Sequence, residues 1–352
     1  MGVARTGQAG YNLRVITRRT TTTVQVGSVP LGSNAPVAIQ SMTKVPTTDI
    51  DRCVAQIEEL VRAGCAFVRL AVPRRADTEA FARIVRQTSV PLVADIHFSP
   101  ERAIEAIEGG AAKIRLNPGN VKSRDDIHRI IDAAKSHGIA VRVGVNEASI
   151  RDLTKEPIPP EERVDLMLAE MRQYVQLFED RGFNRLVLSA KTSDTMRTIE
   201  VNRRIAQVFR YPIHLGLTHA GLPEHARVPS AIALGALLSE GIGDTIRVSA
   251  AGDPVIETAM AKEILTSLEV PFEVDHSIVR GLDYYTKTAF EFQIQGIGAQ
   301  SALGGGGRYD GLVEKCGGPH IPGVGMGMGL ERILLAREQA GLKAISDERK
   351  GI

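Results

Sequence analysis

Residues 37–64 read VAIQSMTKVPTTDIDRCVAQIEELVRAG, and this stretch decides the fold. It opens on Val37 to Met42, a short run that predicts a strand. Thr48 or Asp49 then offers a side-chain oxygen to cap a helix. Ile50, Val54, Ile57 and Val61 recur at helical spacing and predict one buried face. Gly64 supplies the left-handed stop. A strand followed by an amphipathic helix is one βα unit, and the same rhythm continues downstream. Eight strands centre on Ile39, Val68, Val93, Ile114, Val143, Val187, Leu215 and Ile246. A helix follows each, the last from about Pro254 to Leu268. Ser99 before Pro100 is another clean start, a cap followed by proline at the first helical position. Eight such units over about 250 residues is the length and rhythm of a (β/α)₈ TIM barrel, an α/β fold. Val24 to Leu31 precedes the first strand as a hairpin able to plug the barrel bottom. An open doubly wound sheet is the structural rival, but no G-x-G-x-x-G opening favours it.

The pattern changes near Val270. Downstream, strand-like residues alternate without intervening helices, and glycine becomes dense from Gly304 to Gly329. This predicts a small antiparallel α+β segment over 269–340 that ends in a helix, about Leu330 to Gln339. The expected organisation is therefore a barrel domain over 1–268, this second segment, and a polar tail over 341–352.

Composition narrows the function classes. Net charge is +2, aromatics make up 4% and Trp is absent, which argues against a nucleic-acid surface. No apolar run approaches the length of a membrane span, and the N-terminus has no apolar signal region. Gly2 and Thr6 fit a myristoylation pattern too short to carry weight. The three cysteines, Cys53, Cys65 and Cys316, form no C-x-x-C pair. They read as free thiols in a reducing cytoplasm, and no metal site is expected.

Barrel enzymes place their chemistry at the C-terminal ends of the strands, and side chains alternate inward and outward along each strand. The last inward positions are therefore informative. They offer Arg69, then Asp95 and His97, Arg115 and Asn117, Arg142 and Asn146, Ser189 and Lys191, Thr218, and Arg247 and Ser249. Five cations thus converge with one nearby carboxylate. Clustered like charges raise the free energy unless something neutralises them, and arginine forks match phosphate oxygens. A pocket for a phosphorylated or diphosphorylated small molecule follows. Two readings stay open for Asp95, orienting a substrate hydroxyl or anchoring an arginine. Two also stay open for His97, a proton donor or a core histidine, with the core role favoured.

Six segments, taken in order, resemble a known family. They are VAIQSMTKVPTTDID (37–51), PLVADIHF (91–98), KIRLNPGN (113–120), VRVGVN (141–146), HLGLTHAG (214–221) and EGIGDTIRVS (240–249). They are similar to the barrel-strand motifs of 4-hydroxy-3-methylbut-2-enyl diphosphate synthase, over about Arg18 to Leu268. The resemblance implies an oxidoreductase of the methylerythritol phosphate pathway of isoprene biosynthesis. Its substrate would be 2-C-methyl-D-erythritol 2,4-cyclodiphosphate, opened reductively. By motif, Arg69, Arg115, Arg142, Lys191, Arg247 and Ser249 would hold the diphosphate, with Asp95, His97, Asn117 and Asn146 lining the same pocket. The resemblance further implies a homodimer and a flavodoxin or ferredoxin as electron donor. The family reads T-E-A-G where this chain has Thr218-His219-Ala220-Gly221, so the role of His219 is open. The family also uses a [4Fe–4S] cluster held by three cysteines and a glutamate of a C-terminal domain. The cysteine ligands are absent here, so the chain by itself is expected to be incomplete.

The segment in their place resembles another family. FEVDHSIVRGLDYYTKTAFEF (272–292), GGGGRYDGLVEKCGG (304–318) and PGVGMGMGLERIL (322–334) are similar to the second half of the histidyl-tRNA synthetase class II core. By motif, Arg280, Tyr284, Tyr285, Arg308 and Tyr309 would belong to histidine recognition, and Arg332 to ATP binding. The fragment lacks the first half of that core. The alternative to a synthase-like enzyme is therefore a non-catalytic or chimeric fusion. A synthetase-like paralogue and another phosphate-binding barrel, such as a pterin-synthase-like enzyme, are the remaining readings.

Overall fold

The computed structural model describes residues 16–268 and 285–341, apart from 33–34, 97, 118–119, 122, 151–157, 161, 219–220, 287 and 295–301. The chain divides into two compact units, one over Leu13–Pro271 and a second that takes up the chain from Phe272.

In the first unit a two-stranded hairpin, β1 (Val24–Val26) and β2 (Val29–Leu31), leads into eight parallel strands. These are β3 (Ala38–Met42), β4 (Phe67–Ala71), β5 (Leu92–Asp95), β6 (Lys113–Leu116), β7 (Ala140–Asn146), β8 (Leu186–Lys191), β9 (His214–Leu215) and β10 (Thr245–Ile246). Each contains its expected centre. Their order is β8-β7-β6-β5-β4-β3-β10-β9, and a parallel bridge between Leu188 and Ile213 closes the ring. Eight helices return the chain between strands, from α1 (Ile50–Ala63) to α8 (Pro254–Ser267).

The first helix forms as its residues dictate, with one correction. Asp49 is the cap and accepts from the Arg52 amide, while Gly64 ends the helix in the left-handed region at φ 112°. The buried stripe, however, runs through Cys53, Ile57 and Leu60, and Val61 is 41% exposed. An α-helix covers a stripe rather than a line, and Leu60 lies nearer its centre than Val61 does.

Outward residues of the barrel strands pack under the helices, Val68 and Leu70 on β4 and Val141, Val143 and Val145 on β7 among them. Inward residues at the N-terminal end form a separate apolar layer. Phe67, Val93, Ala140 and Val187 pack there against Val24, Val26 and Leu31 of the hairpin. The hairpin therefore plugs the bottom. Its two-residue turn begins at Gly27, whose φ of +58° suits the primed turns that match strand twist.

In the second unit β11 (Ala289–Gln293), β12 (Ala302–Arg308) and β13 (Val324–Met328) form an antiparallel sheet, with the short α9 (Leu312–Lys315) between the last two strands and α10 (Leu330–Gln339) after them. Tyr285 and Tyr309 meet edge to face, with ring centroids 6.5 Å apart. A Cβ at Gly307 would clash with the Tyr285 ring, so bare backbone admits it.

Leu31 is fully buried in the plug, and truncating it leaves a cavity that the closed barrel collapses poorly. Leu31→Ala is expected to cost roughly 2–5 kcal/mol in urea unfolding. A cost well under 1 kcal/mol would show that the plug contributes little to the fold.

Candidate functional site

The alternation that sends Val68 and Leu70 outward sends Phe67 and Arg69 inward. The same logic aims Arg115 on β6, Arg142 on β7 and Lys191 on β8 into the barrel mouth, and Arg247, just past β10, joins them. All five cations line one cavity of about 490 Å³. Asp95, Asn146, Ser189, Thr218 and Ser249 line the same space. Asn117 does not. It follows the end of β6, is buried, and its carbonyl accepts from the Asn120 amide as the chain turns. His97 and His219 lie outside the described residues, as do Arg280 and Tyr284 of the second unit.

Two carboxylates order the cations. Asp95 engages Arg69 (Nε to Oδ2, 3.6 Å) and Arg115 (Nη1 to Oδ1, 3.3 Å), so it anchors arginines. The second carboxylate, Glu257 on α8, is absent from the reading of the sequence. Its side chain is 1% exposed. It accepts from Arg247 Nη2 at 3.1 Å and Nε at 3.2 Å, and pairs with Lys44 Nζ at 3.0 Å. The signal was present: Glu257 shares the buried stripe of α8 with Met260, Ala261 and Ile264, where an acid is out of place.

Five cations against two carboxylates leave an excess of positive charge. Among the described residues neither Arg142 nor Lys191 has an ion-pair partner. Burial pushes both well below their ordinary pKa ranges, and neighbouring cations push further, Arg69 and Arg115 on Arg142, and Arg142 and Arg247 on Lys191. Burial also lowers Arg69 to about 10 despite Asp95. Lys191 Nζ crosses the face of Gly216, where a Cβ would fall 2.8 Å from it and 2.6 Å from the Arg247 carbonyl oxygen. Glycine there lets the lysine reach the mouth. Two further buried groups sit deeper and were also missed. Lys113 Nζ stands 3.9 Å over the Phe67 ring, and His214 faces Thr245 Oγ1 at 3.4 Å. Burial first, then Arg142, holds both well below their usual ranges. Period-two counting back from Arg115 identifies Lys113 as inward.

The residues of the second unit resembling a synthetase are only partly assembled in what is described. Tyr285 meets Tyr309, Arg308 pairs with Asp310 at 2.7 Å, and Arg332 lies in the first turn of α10.

The fold and its mouth define a parallel TIM barrel with a cation-lined cavity at the C-terminal ends of its strands. The chain belongs to the family of the GcpE TIM-barrel domain, which matches residues 21–262. It is 46% identical over 252 residues to the 4-hydroxy-3-methylbut-2-en-1-yl diphosphate synthase (flavodoxin) of Malacoplasma penetrans, covering 71% of this chain and 69% of that one. It is 48% identical over 245 residues to the same-named protein of Thermotoga petrophila, covering 70% of this chain and 69% of that one. Residues 244–333 match the histidyl-tRNA synthetase family. Among solved structures, a dihydropteroate synthase from Stenotrophomonas maltophilia superposes with a TM-score of 0.54 at 16% identity, over 71% of this chain and 99% of that one. That likeness shows a shared fold.

The family's enzymes use a [4Fe–4S] cluster, and the cysteines of this chain do not fit one. Cys53 Sγ sits 3.3 Å from the Pro46 carbonyl oxygen, and Cys65 Sγ lies 3.1 Å from Thr258 Oγ1. Burial raises both thiols to about 11. Cys316 belongs to the second unit. Among the described residues no His, Cys, Asp or Glu group is arranged to hold a metal. No helix among them is long and apolar enough to cross a membrane.

Because burial lowers the Lys191 pKa, the folded ligand-free protein binds that proton less tightly than the unfolded chain does. This costs stability at pH values below the ordinary lysine range, and the cost disappears above it. Lys191→Met is therefore expected to raise the melting temperature at neutral pH by roughly 2–4 °C in calorimetry. The gain should shrink as pH rises toward about 10. A lower melting temperature at neutral pH would mean that Lys191 is compensated in the empty pocket.

Proposed function

We propose that the barrel is the substrate-holding half of a 4-hydroxy-3-methylbut-2-enyl diphosphate synthase, binding 2-C-methyl-D-erythritol 2,4-cyclodiphosphate. The observation that carries this reading is the convergence of five cations against two carboxylates in one cavity, within a barrel of this family. A cyclic diphosphate is a compact multiply charged anion, and it supplies the charge that the cavity lacks. Arg69 and Arg115 arrive aligned by Asp95, and Arg247 by Glu257, so their forks are preorganised for phosphate oxygens. Arg142 and Lys191 neutralise the inner face of the ligand. Asn146 and Ser249 offer hydrogen bonds at the rim. Closure of the cavity around the anion excludes water and strengthens each contact.

Reductive ring opening consumes two electrons. In the family a [4Fe–4S] cluster delivers them, and the relatives' names give flavodoxin as donor. The cysteines here do not fit that cluster, so it comes from residues other than these 352, which also receive the flavodoxin. The chain turns over substrate only in that company, and it works as a dimer if the family's arrangement holds. A second reading has its own support in the match of residues 244–333 to histidyl-tRNA synthetase. Under it the chain is a fusion without turnover.

Titration calorimetry with the cyclic diphosphate, against salt-matched pyrophosphate, is expected to give selective binding that Arg115→Ala with Arg247→Ala weakens by at least about 100-fold. A folded protein that binds neither anion would remove the leading reading. Product is expected only when a cluster-bearing polypeptide and reduced flavodoxin are added. Activation of histidine with ATP by the chain would instead favour the synthetase piece.

A further inference from the structure

Glu257 is an anomaly in a pocket for anions. It lines the cavity, is almost fully buried, and carries the charge that repels a phosphate. Its partners explain why it is there. Arg247 donates to it through Nε and Nη2, a side-on fork that leaves Nη1 for the cavity. Lys44, on the turn after β3, pairs with the same carboxylate and also donates to the Ala250 carbonyl oxygen at 2.5 Å. The Ala250 amide donates to Oε1 at 3.2 Å, and the Ser41 hydroxyl lies 3.2 Å from Oε2. Ser41 and Lys44 belong to the first barrel strand and its turn, while Arg247 and Ala250 follow the last. Those two strands are neighbours, paired in parallel at Thr245 with Ala38 and Ile246 with Ile39. One carboxylate on α8 thus ties together the mouth at the seam where first and last strands meet.

We infer that Glu257 is the positioning residue that gives the cavity its selectivity for a shaped diphosphate over a small anion, by holding Arg247 in one orientation. The inference rests on the diphosphate reading of the cavity. A carboxylate there lowers the affinity for any anion through repulsion, so its value lies in geometry. Released from it, Arg247 swings among rotamers. A small symmetrical anion can follow the guanidinium, whereas a ligand fixed by its ring and five cations cannot.

Charge and geometry then pull in opposite directions, which separates them in an experiment. Glu257→Gln keeps an acceptor for the Ala250 amide and removes one negative charge. In calorimetry with the full chain, it is expected to bind pyrophosphate as tightly as the wild type or more tightly. Binding of the cyclic diphosphate should fall about tenfold or more, so the selectivity ratio collapses. Loss of folding would weaken both anions alike. Lys44→Met, which removes a positive charge outside the cavity wall, should weaken both by a similar factor and leave the ratio in place. Removing the acid alone strands a buried guanidinium, so the same question is put in a neutral background. In Arg247→Gln, adding Glu257→Gln is expected to change the ratio no further, because the acid acts through the arginine. An unchanged ratio in the single Glu257→Gln variant, or losses that multiply in the double variant, would overturn the inference. Failure of the wild-type chain to discriminate the two anions would overturn the diphosphate reading and this inference with it, a result told apart by its appearing before any substitution.

Discussion

Mutual repulsion among five cations at one barrel mouth is the constraint on which the rest of this protein depends. Asp95 and Glu257 offset only part of the repulsion among Arg69, Arg115, Arg142, Lys191 and Arg247. Two of them have no ion-pair partner among the described residues. The closed parallel ladder supplies the restraint. Each cation sits on or just beyond a strand whose outward neighbours are locked under helices, as Val68 and Leu70 flank Arg69 and Val141 and Val143 flank Arg142. A strand cannot rotate to release one inward charge without exposing its apolar outward face. Packing energy distributed over the barrel therefore stabilises a charge arrangement that opposes folding locally.

The two acids limit that opposition without cancelling it. Asp95 and Glu257 each pair with two cations and leave Arg142 and Lys191 without an ion-pair partner among the described residues. Full neutralisation would stabilise the empty protein and remove its attraction for an anion. Partial neutralisation orients Arg69, Arg115 and Arg247 and keeps an excess of positive charge in the cavity. Stability and binding conflict at this site, and the structure divides the residues between them.

The second unit follows a different logic. Gly307 on β12 meets the Tyr285 ring and Gly325 on β13 meets Tyr309, so these rings rest on backbone instead of on side chains. Val324, Met326 and Met328 on β13 are exposed, and so are Leu330, Leu334 and Leu335 on α10.

The eight βα repeats, the hairpin plug and the inward cations were all readable in the linear sequence. Strand alternation and helical spacing are local rules, and a run such as residues 37–64 expresses both. Family membership was readable too, because the motifs at strand ends are short, ordered and chemically distinctive. What the sequence left open depended on distances between residues far apart in the chain. That Asp95 pairs with two arginines depends on Arg69 and Arg115 arriving on the strands either side of it. Glu257 entered it because ring closure brings the last helix against the first strand, joining residues more than two hundred positions apart. Periodicity determines which way a side chain faces, whereas closure of the barrel determines what it meets.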